Sequence, residues 1–191
     1  REAFSRQFGE APQKSRTAQA FAMDWIDTPL GPMLAIADEK QLHMLEFVER
    51  KKLEGHVERY RKAFNATVLP GETPALKLIK KELKDYFAGK TLTFESKVAE
   101  AGTEFQQTVW DELRRIPPGV TRSYQDVSKR IGRPTAMRAV ANANRLNRCA
   151  IILPCHRVIG ADGALTGYAG GLCRKQWLLD HERRHTGQTL I

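Results

Sequence analysis

The sequence holds only three cysteines in 191 residues, and no two of them stand in C-x-x-C spacing. So sparse and odd a set excludes a disulfide-built scaffold and points to a reducing compartment. The missing pair excludes the common thiol redox motif, and no standard zinc spacing is present. No apolar run approaches the length of a membrane span. The chain opens on Arg1-Glu2-Ala3 without a starting Met or a signal peptide, which reads as an excerpt of something longer. There is no internal repeat and no low-complexity tract. Acidic residues are scarce in one place: residues 101–191 carry 14 Lys and Arg against 7 Asp and Glu, whereas residues 1–100 carry 17 against 15.

What is present is an ordinary globular composition, 41% hydrophobic and 28% charged, with a net charge of +9. Such a balance suits a polyanionic partner. The excess concentrates in 121–148, where Arg122, Lys129, Arg130, Arg133, Arg138, Arg145 and Arg148 stand against Asp126 alone. A solvated basic face is the plainer alternative.

The patterning divides the chain. Residues 1–20 are polar, with Phe4 and Phe8 on one face of a short helix, Gly9 as its stop and a linker over 10–20. Phe21–Asp27, Met33–Ala37 and Leu42–Val48 are short apolar runs broken by turn residues, the pattern of an antiparallel meander. Leu53, Val57, Tyr60 and Phe64 have helical spacing, and so do Leu76, Ile79, Leu83 and Phe87. Thr91–Phe94 is expected to be a further strand. His43 and His56 stand alone in sequence and read as ordinary strand or surface residues.

A second unit starts near Gly102. Thr103 caps a helix lined by Phe105, Val109, Leu113 and Ile116. Ser123 caps a short helix over Tyr124–Ile131, Gly132-Arg133-Pro134 turns, and a helix rich in small residues follows over about 134–145. This is helix-turn-helix punctuation, although small residues serve close helix packing equally well. After the run Ala150–Leu153 comes Pro154-Cys155-His156-Arg157-Val158, then a glycine-rich loop. A last helix has Leu172, Trp177, Leu178 and His181 facing inward.

A cysteine beside a histidine after a proline is a candidate activated thiol, since the thiolate is the nucleophile and Arg157 and His156 favour it. On an extended segment the two side chains point to opposite sides, so His156 needs a turn or a bridging water. Asp180 and Glu182 are the available orienting acids. A structural Cys-His pair is the alternative. Cys149 and Cys173 read as small apolar packing groups.

The motif Pro154–Val158 resembles the active-site motif of the O6-alkylguanine-DNA alkyltransferases. Thr103–Trp110, Ile116–Gly119 with Ser123-Tyr124, Arg138–Ala141, Asn147, Gly167–Gly171 and Trp177–Leu179 with Glu182 follow in that family's order. The resemblance covers about 21–185. It implies an α+β fold, an N-terminal ribonuclease H-like α/β subdomain plus a C-terminal helical winged helix-turn-helix-like domain. The expected divisions are a tail and linker over 1–20, the subdomain over 21–100, the DNA-binding and catalytic domain over 101–185, and a tail over 186–191. Residues 1–16 resemble the end of an AraC-type DNA-binding domain, as in Ada-type regulators.

The resemblance further implies direct-reversal repair, a stoichiometric and irreversible transfer of a methyl or larger alkyl group from O6 of guanine to Cys155. His156 deprotonates the thiol through a water, Glu182 orients His156, Tyr124 donates to N3 of the departing base, and Asn147 is a structural hinge. Arg138 fills the place of the flipped base. Arg145, Ala136, Ala139 and Arg122 lie at the DNA. Val158, Tyr168, Ala169 and Arg157 line the pocket. The implied partner is double-stranded DNA held by its minor groove with the base flipped out. The protein is expected to be a cytoplasmic, nucleoid-associated monomer without metal, cofactor or membrane contact. Ala169 stands where some members have serine, and Ala150 where some have proline, which implies a roomier pocket. A base sensor lacking alkyl transfer, a transcription regulator and a cysteine hydrolase are the rival readings.

Overall fold

The computed structural model describes residues 19–187. The expected helix at Phe4 and Phe8 and the AraC-like stretch lie outside the described residues. The chain divides into two compact units, one running to Phe87 and including Glu95–Ala99, the other formed by Ala88–Phe94 and the chain from Glu100.

In the first unit, β1 (Gln19–Ile26), β2 (Met33–Ala37) and β3 (Leu42–Phe47) form the expected antiparallel meander. β1 takes in Gln19 and Ala20, which the sequence pattern placed in the linker. Every residue of β2 and β3 is buried, so both faces of these strands are covered. On one side Leu34, Ile36 and Met44 meet Leu53, Val57 and Tyr60 of α1 (Leu53–Ala63). α2 (Pro74–Phe87) lies against β1 and β2 and buries Leu76, Ile79, Leu83 and Tyr86. Each such side chain contributes on the order of 2 kcal/mol of burial free energy.

The fourth strand is not Thr91–Phe94, which has no strand structure. It is β4 (Ala66–Pro70), parallel to β1 at the far edge, giving the order β3-β2-β1-β4. The chain after α2 returns only as a single bridge between Val98 and Leu42. The buried Glu82 carboxylate fixes this return by accepting the backbone N–H groups of Glu95 and Ser96, at 2.5 and 3.2 Å. His43 does not stand alone either. Its ring is buried, stacks on Phe21 at 4.1 Å, and bonds Asp38 at 2.8 Å and the Tyr60 hydroxyl.

In the second unit, α3 (Glu104–Arg114) starts with a capping box of Thr103 and Gln106, and α4 (Tyr124–Arg130) with one of Ser123 and Asp126. The turn after α4 contains Gly132 at φ 71, a conformation that a Cβ disfavours. α5 (Met137–Arg145) begins three residues later than expected, because Pro134 and Thr135 form a turn and Ala136 is the cap. The Pro134 carbonyl accepts from Gln125 Nε2 at 2.9 Å, which closes α4 onto the turn. Trp110 of α3 donates to the Ala143 carbonyl of α5 at 3.1 Å.

Ala150–Leu153 is a buried turn rather than an extended run, with Ile151 at φ 72. A short strand β6 (Val158–Ile159) then pairs in parallel with β5 (Arg122–Ser123). On the last helix, α6 (Leu172–His185), Leu178 and His181 are buried, Trp177 is half-buried and Leu172 is exposed. Leu172 and the exposed Cys173 thus depart from the inward packing read in the sequence, since both occupy the first, solvent-facing turn of α6. Cys149 is buried as expected. No helix among the described residues is long and apolar enough to cross a membrane.

Candidate active site

Cys155, His156 and Arg157 form one turn of 3-10 helix after Pro154, not an extended segment. Its residues step round the axis by roughly 120°, so Cys155 and His156 are not forced to opposite sides. The Cys155 side chain is all but buried, at 8% exposure. Asn147, just beyond the end of α5, donates from Nδ2 to the Leu153 carbonyl at 2.8 Å and to Cys155 Sγ at 3.1 Å. Its Oδ1 accepts the Cys149 N–H at 2.9 Å. One side chain therefore shapes the buried turn and presents an N–H to sulfur, which favours the thiolate.

His156 is fully buried, and its Nε2 lies 2.9 Å from Glu182 Oε1 on α6. Facing an ionised carboxylate, Nε2 carries the ring proton and Nδ1 keeps the lone pair. Nδ1 is buried without a hydrogen-bond partner. Glu182 also accepts from Arg157, at 2.9 Å from Nε and 2.8 Å from Nη2, and from the Gly119 N–H at 3.2 Å. Burial would raise this carboxyl, but His156 and Arg157 outweigh it and hold it well below the usual carboxylate range. The imidazole is lowered, first by burial and then by Arg157 and Lys175, against the pull of Glu182. A neutral ring with a free lone pair is the form that accepts a proton.

Arg157 was expected in the pocket wall and as a direct aid to the thiolate. Its guanidinium is instead spent inside the unit, on Glu182 and on the Ile116 carbonyl at 2.5 Å. Asp180, the other orienting acid considered, accepts from Gln176 at 2.9 Å. Tyr124 opens α4, half-buried, and its hydroxyl donates to the Thr166 carbonyl at 3.4 Å. The β5–β6 pairing sets Arg122 opposite Val158 and Ser123 opposite Ile159. It thereby ties the start of the Tyr124 helix to the end of the Cys155 turn.

Lys175 is the residue that the sequence reading missed. It is fully buried, and Nζ donates to the Val158 carbonyl at 2.5 Å and the Thr166 carbonyl at 2.7 Å. Burial pulls its pKa down to about 8. The signal was in the spacing. Lys175 precedes Leu178 by three residues and Glu182 by seven, so it shares their inward stripe. Val158 has its side chain buried, its N–H bonded to the Cys155 carbonyl and its carbonyl held by Lys175. Tyr168 is half-buried and Ala169 exposed, both in the loop before α6.

On α5, Arg138, Ala139 and Arg145 are exposed and Ala136 is partly so. Arg138 and Arg145 lie two turns apart on one face, about 10 Å along the axis. Arg145 is braced by Asn142 Oδ1 at 2.8 Å. Arg122 is half-buried and donates to the Thr121 carbonyl at 3.1 Å. Among the described residues, no three His, Cys, Asp or Glu side chains converge as a metal site.

Two family models match the chain. One describes the ribonuclease-like domain of 6-O-methylguanine DNA methyltransferase, over residues 23–99, and the other its DNA binding domain, over 104–184. A methylated-DNA–protein-cysteine methyltransferase of Methanosarcina acetivorans is 43% identical over 163 residues, 82% of this chain and 94% of the relative. The constitutive methyltransferase of Bacillus subtilis is 40% identical over 82% of this chain and 92% of its own length. Among solved structures, Mycobacterium tuberculosis O6-methylguanine methyltransferase superposes with a TM-score of 0.74 at 39% identity, covering 86% of this chain and 94% of that one. The M. tuberculosis OGT in complex with DNA gives 0.73 at 39% identity, covering 87% and 94%.

Proposed function

The chain belongs to the 6-O-methylguanine DNA methyltransferase family, and from that membership we propose that Cys155 is its alkyl acceptor. The protein repairs DNA by direct reversal, moving the alkyl group of O6-methylguanine irreversibly onto its own cysteine, once per molecule. The observation that carries the assignment to Cys155 is its place next to the buried His156–Glu182 pair in one turn of 3-10 helix. A sulfur accepts an N–H from Asn147, and the neighbouring imidazole keeps an unpartnered Nδ1 backed by a carboxylate.

In this reading the Cys155 proton passes through a water to His156 Nδ1. The thiolate attacks the alkyl carbon in line, the S–C bond forms as the C–O6 bond breaks, and the electron pair stays on the base. Tyr124 gives its proton to N3 of that base, so the departing guanine is neutral. The remaining imidazolium and phenolate exchange a proton through solvent. The thioether is not hydrolysed under mild conditions, which makes the reaction final.

Sulfur this deeply buried meets a duplex base only if the base leaves the stack. We assign α5 to the minor groove, with Ala136 and Ala139 leaving room, Arg138 entering the vacated place and Arg145 and Arg122 at the phosphates. Such contacts supply affinity with little sequence preference, as repair requires. Tyr168, Ala169 and the Val158 carbonyl would border the base. The protein acts as a monomer, since one chain carries every group the step uses.

The test is intact-protein mass spectrometry after incubation with a duplex containing O6-methylguanine. The expected result is a gain of one methylene, mapped to Cys155 and absent in Cys155→Ala. A gain on Cys149 or Cys173, or no gain with the duplex bound, overturns the assignment.

A further inference from the structure

The inward stripe of α5 is Val140, Ala143 and Asn144, and Asn147 continues it just past the helix end. The first two pack as apolar side chains do. Asn147 is used at Cys155, as described. Asn144 is different. It is 94% buried by its 6% exposure, yet neither Nδ2 nor Oδ1 completes a hydrogen bond. Buried amides normally find partners, and one that does not calls for an explanation in function.

Its polar neighbour is the Tyr124 hydroxyl. The Asn144 amide lies near enough to the Tyr124 hydroxyl to lower that phenol, against the dominant effect of burial, which raises it. The other partner of that hydroxyl, the Thr166 carbonyl, stands at a long 3.4 Å. The hydroxyl is therefore weakly held by its donor bond, and the neighbouring amide has N–H groups that complete no bond of their own.

We infer that Asn144 is a positioning residue for the alkyl transfer: its carboxamide donates to the Tyr124 oxygen, turns the hydroxyl proton toward the departing base, and stabilises the phenolate as that proton leaves. A donor on the lone-pair side of a hydroxyl directs its proton away, and hydrogen bonding to the charged form favours that form. Asn144 and Asn147, one turn apart, then serve the two ends of one displacement. Asn147 steadies the incoming sulfur, and Asn144 the proton donor to the outgoing base. This inference rests on the proposed role of Tyr124.

The experiment is a double-mutant cycle on the whole chain with Tyr124→Phe, Asn144→Leu and their combination. Asn144→Ala serves as a second, smaller variant. Single-turnover rates are read at saturating O6-methylguanine duplex, and affinity is read separately on unmodified duplex. Tyr124→Phe is expected to slow transfer by about a hundredfold or more, as loss of a general acid does. Asn144→Leu and Asn144→Ala are expected to slow it roughly fivefold, the worth of one hydrogen bond, with affinity unchanged. In the Tyr124→Phe background neither has a further effect. The phenolate absorbance of Tyr124, taken as wild type minus Tyr124→Phe, moves to higher pH in Asn144→Leu, which a purely structural role would not produce.

Equal slowing in both backgrounds, no slowing, a loss of affinity in place of rate, or an unmoved phenolate titration overturns the inference and leaves the role of Tyr124 standing. A Tyr124→Phe protein as fast as wild type removes that role, and the inference with it.

Discussion

Arg157 and Glu182 form a two-pronged pair inside the second unit, Nε to Oε2 at 2.9 Å and Nη2 to Oε1 at 2.8 Å, and His156 shares the same Oε1 at 2.9 Å. The fork geometry matches both carboxylate oxygens. The arginine therefore neutralises the acid that orients the histidine. Without it, the full negative charge of Glu182 would fall on the imidazole and hold a proton there.

Arg157→Leu is accordingly expected to harm the site in two ways. It leaves Glu182 buried without its main counter-charge, a loss of about 3–5 kcal/mol for a broken buried pair. It also removes an influence that lowers His156. The acid limb of the transfer rate should then move to higher pH. Urea unfolding and rate–pH profiles on the same protein check both, and an unmoved acid limb would show that Arg157 only supports the fold.

Acid should weaken the native state before it titrates ordinary carboxylates. An unfolded imidazole takes up its proton near pH 6.5, whereas His156, held lower chiefly by burial, refuses it in the folded state. Below about pH 6.5 the unfolded chain binds more protons, so stability falls as pH falls. Glu182 acts with the same sign further down. Its depressed carboxyl contributes stability that is complete above the ordinary value of 4.5 and is lost as pH drops toward its folded value. Urea midpoints should decline from pH 7 to about pH 3, and Glu182→Gln should flatten the part of that decline below the ordinary carboxylate value.

Lys175→Met removes two donors from the Val158 and Thr166 carbonyls. The aliphatic stem is replaced at similar volume, so core packing is retained. The loop over 160–171 loses its tether to the helix. Hydrogen exchange in that loop should speed up, and methyl transfer should slow by about tenfold or more, as hydrogen bonds to a charged donor are worth. Affinity for unmodified duplex should change little. Unchanged exchange in 160–171 would contradict the tether.

Arg145→Ala and Arg138→Ala separate two kinds of DNA contact. Loss of a phosphate contact weakens binding across sequences and reduces the salt slope by about one. That is the expectation for Arg145. Arg138→Ala should instead slow repair in duplex more than in single-stranded DNA, because only the duplex has a stack to refill. Filter binding over a salt series and repair rates on both substrates provide the comparison.

Local chemistry made much of this molecule readable. Thr103 and Ser123 announced their helices because a capping side chain bonds within three residues of itself. β4 escaped notice because its partner is β1, some 45 residues earlier in the sequence. A parallel pair leaves no hairpin signal. Cys155 and His156 stood out by residue type, but their 3-10 turn depends on Asn147 holding the buried turn before them, a contact no spacing rule encodes. Lys175 was hidden by the expectation that lysines face water. Arg157 was recognised, yet its partner Glu182 lies 25 residues further on, so its inward direction emerged only with the fold.

The pairing of Arg122 and Ser123 with Val158 and Ile159 has a consequence for how such a protein spends its single reaction. Tyr124 and Cys155 hang from the same two-residue ladder, one at each side. With the roles proposed for them, proton donor and nucleophile are thus set before any damaged base arrives, and the site itself needs no assembly. A reusable enzyme needs a site that opens again to let its product go. A molecule that is consumed does not, so rigidity carries no penalty here. What limits repair in a cell is then the number of unspent copies rather than the speed of each.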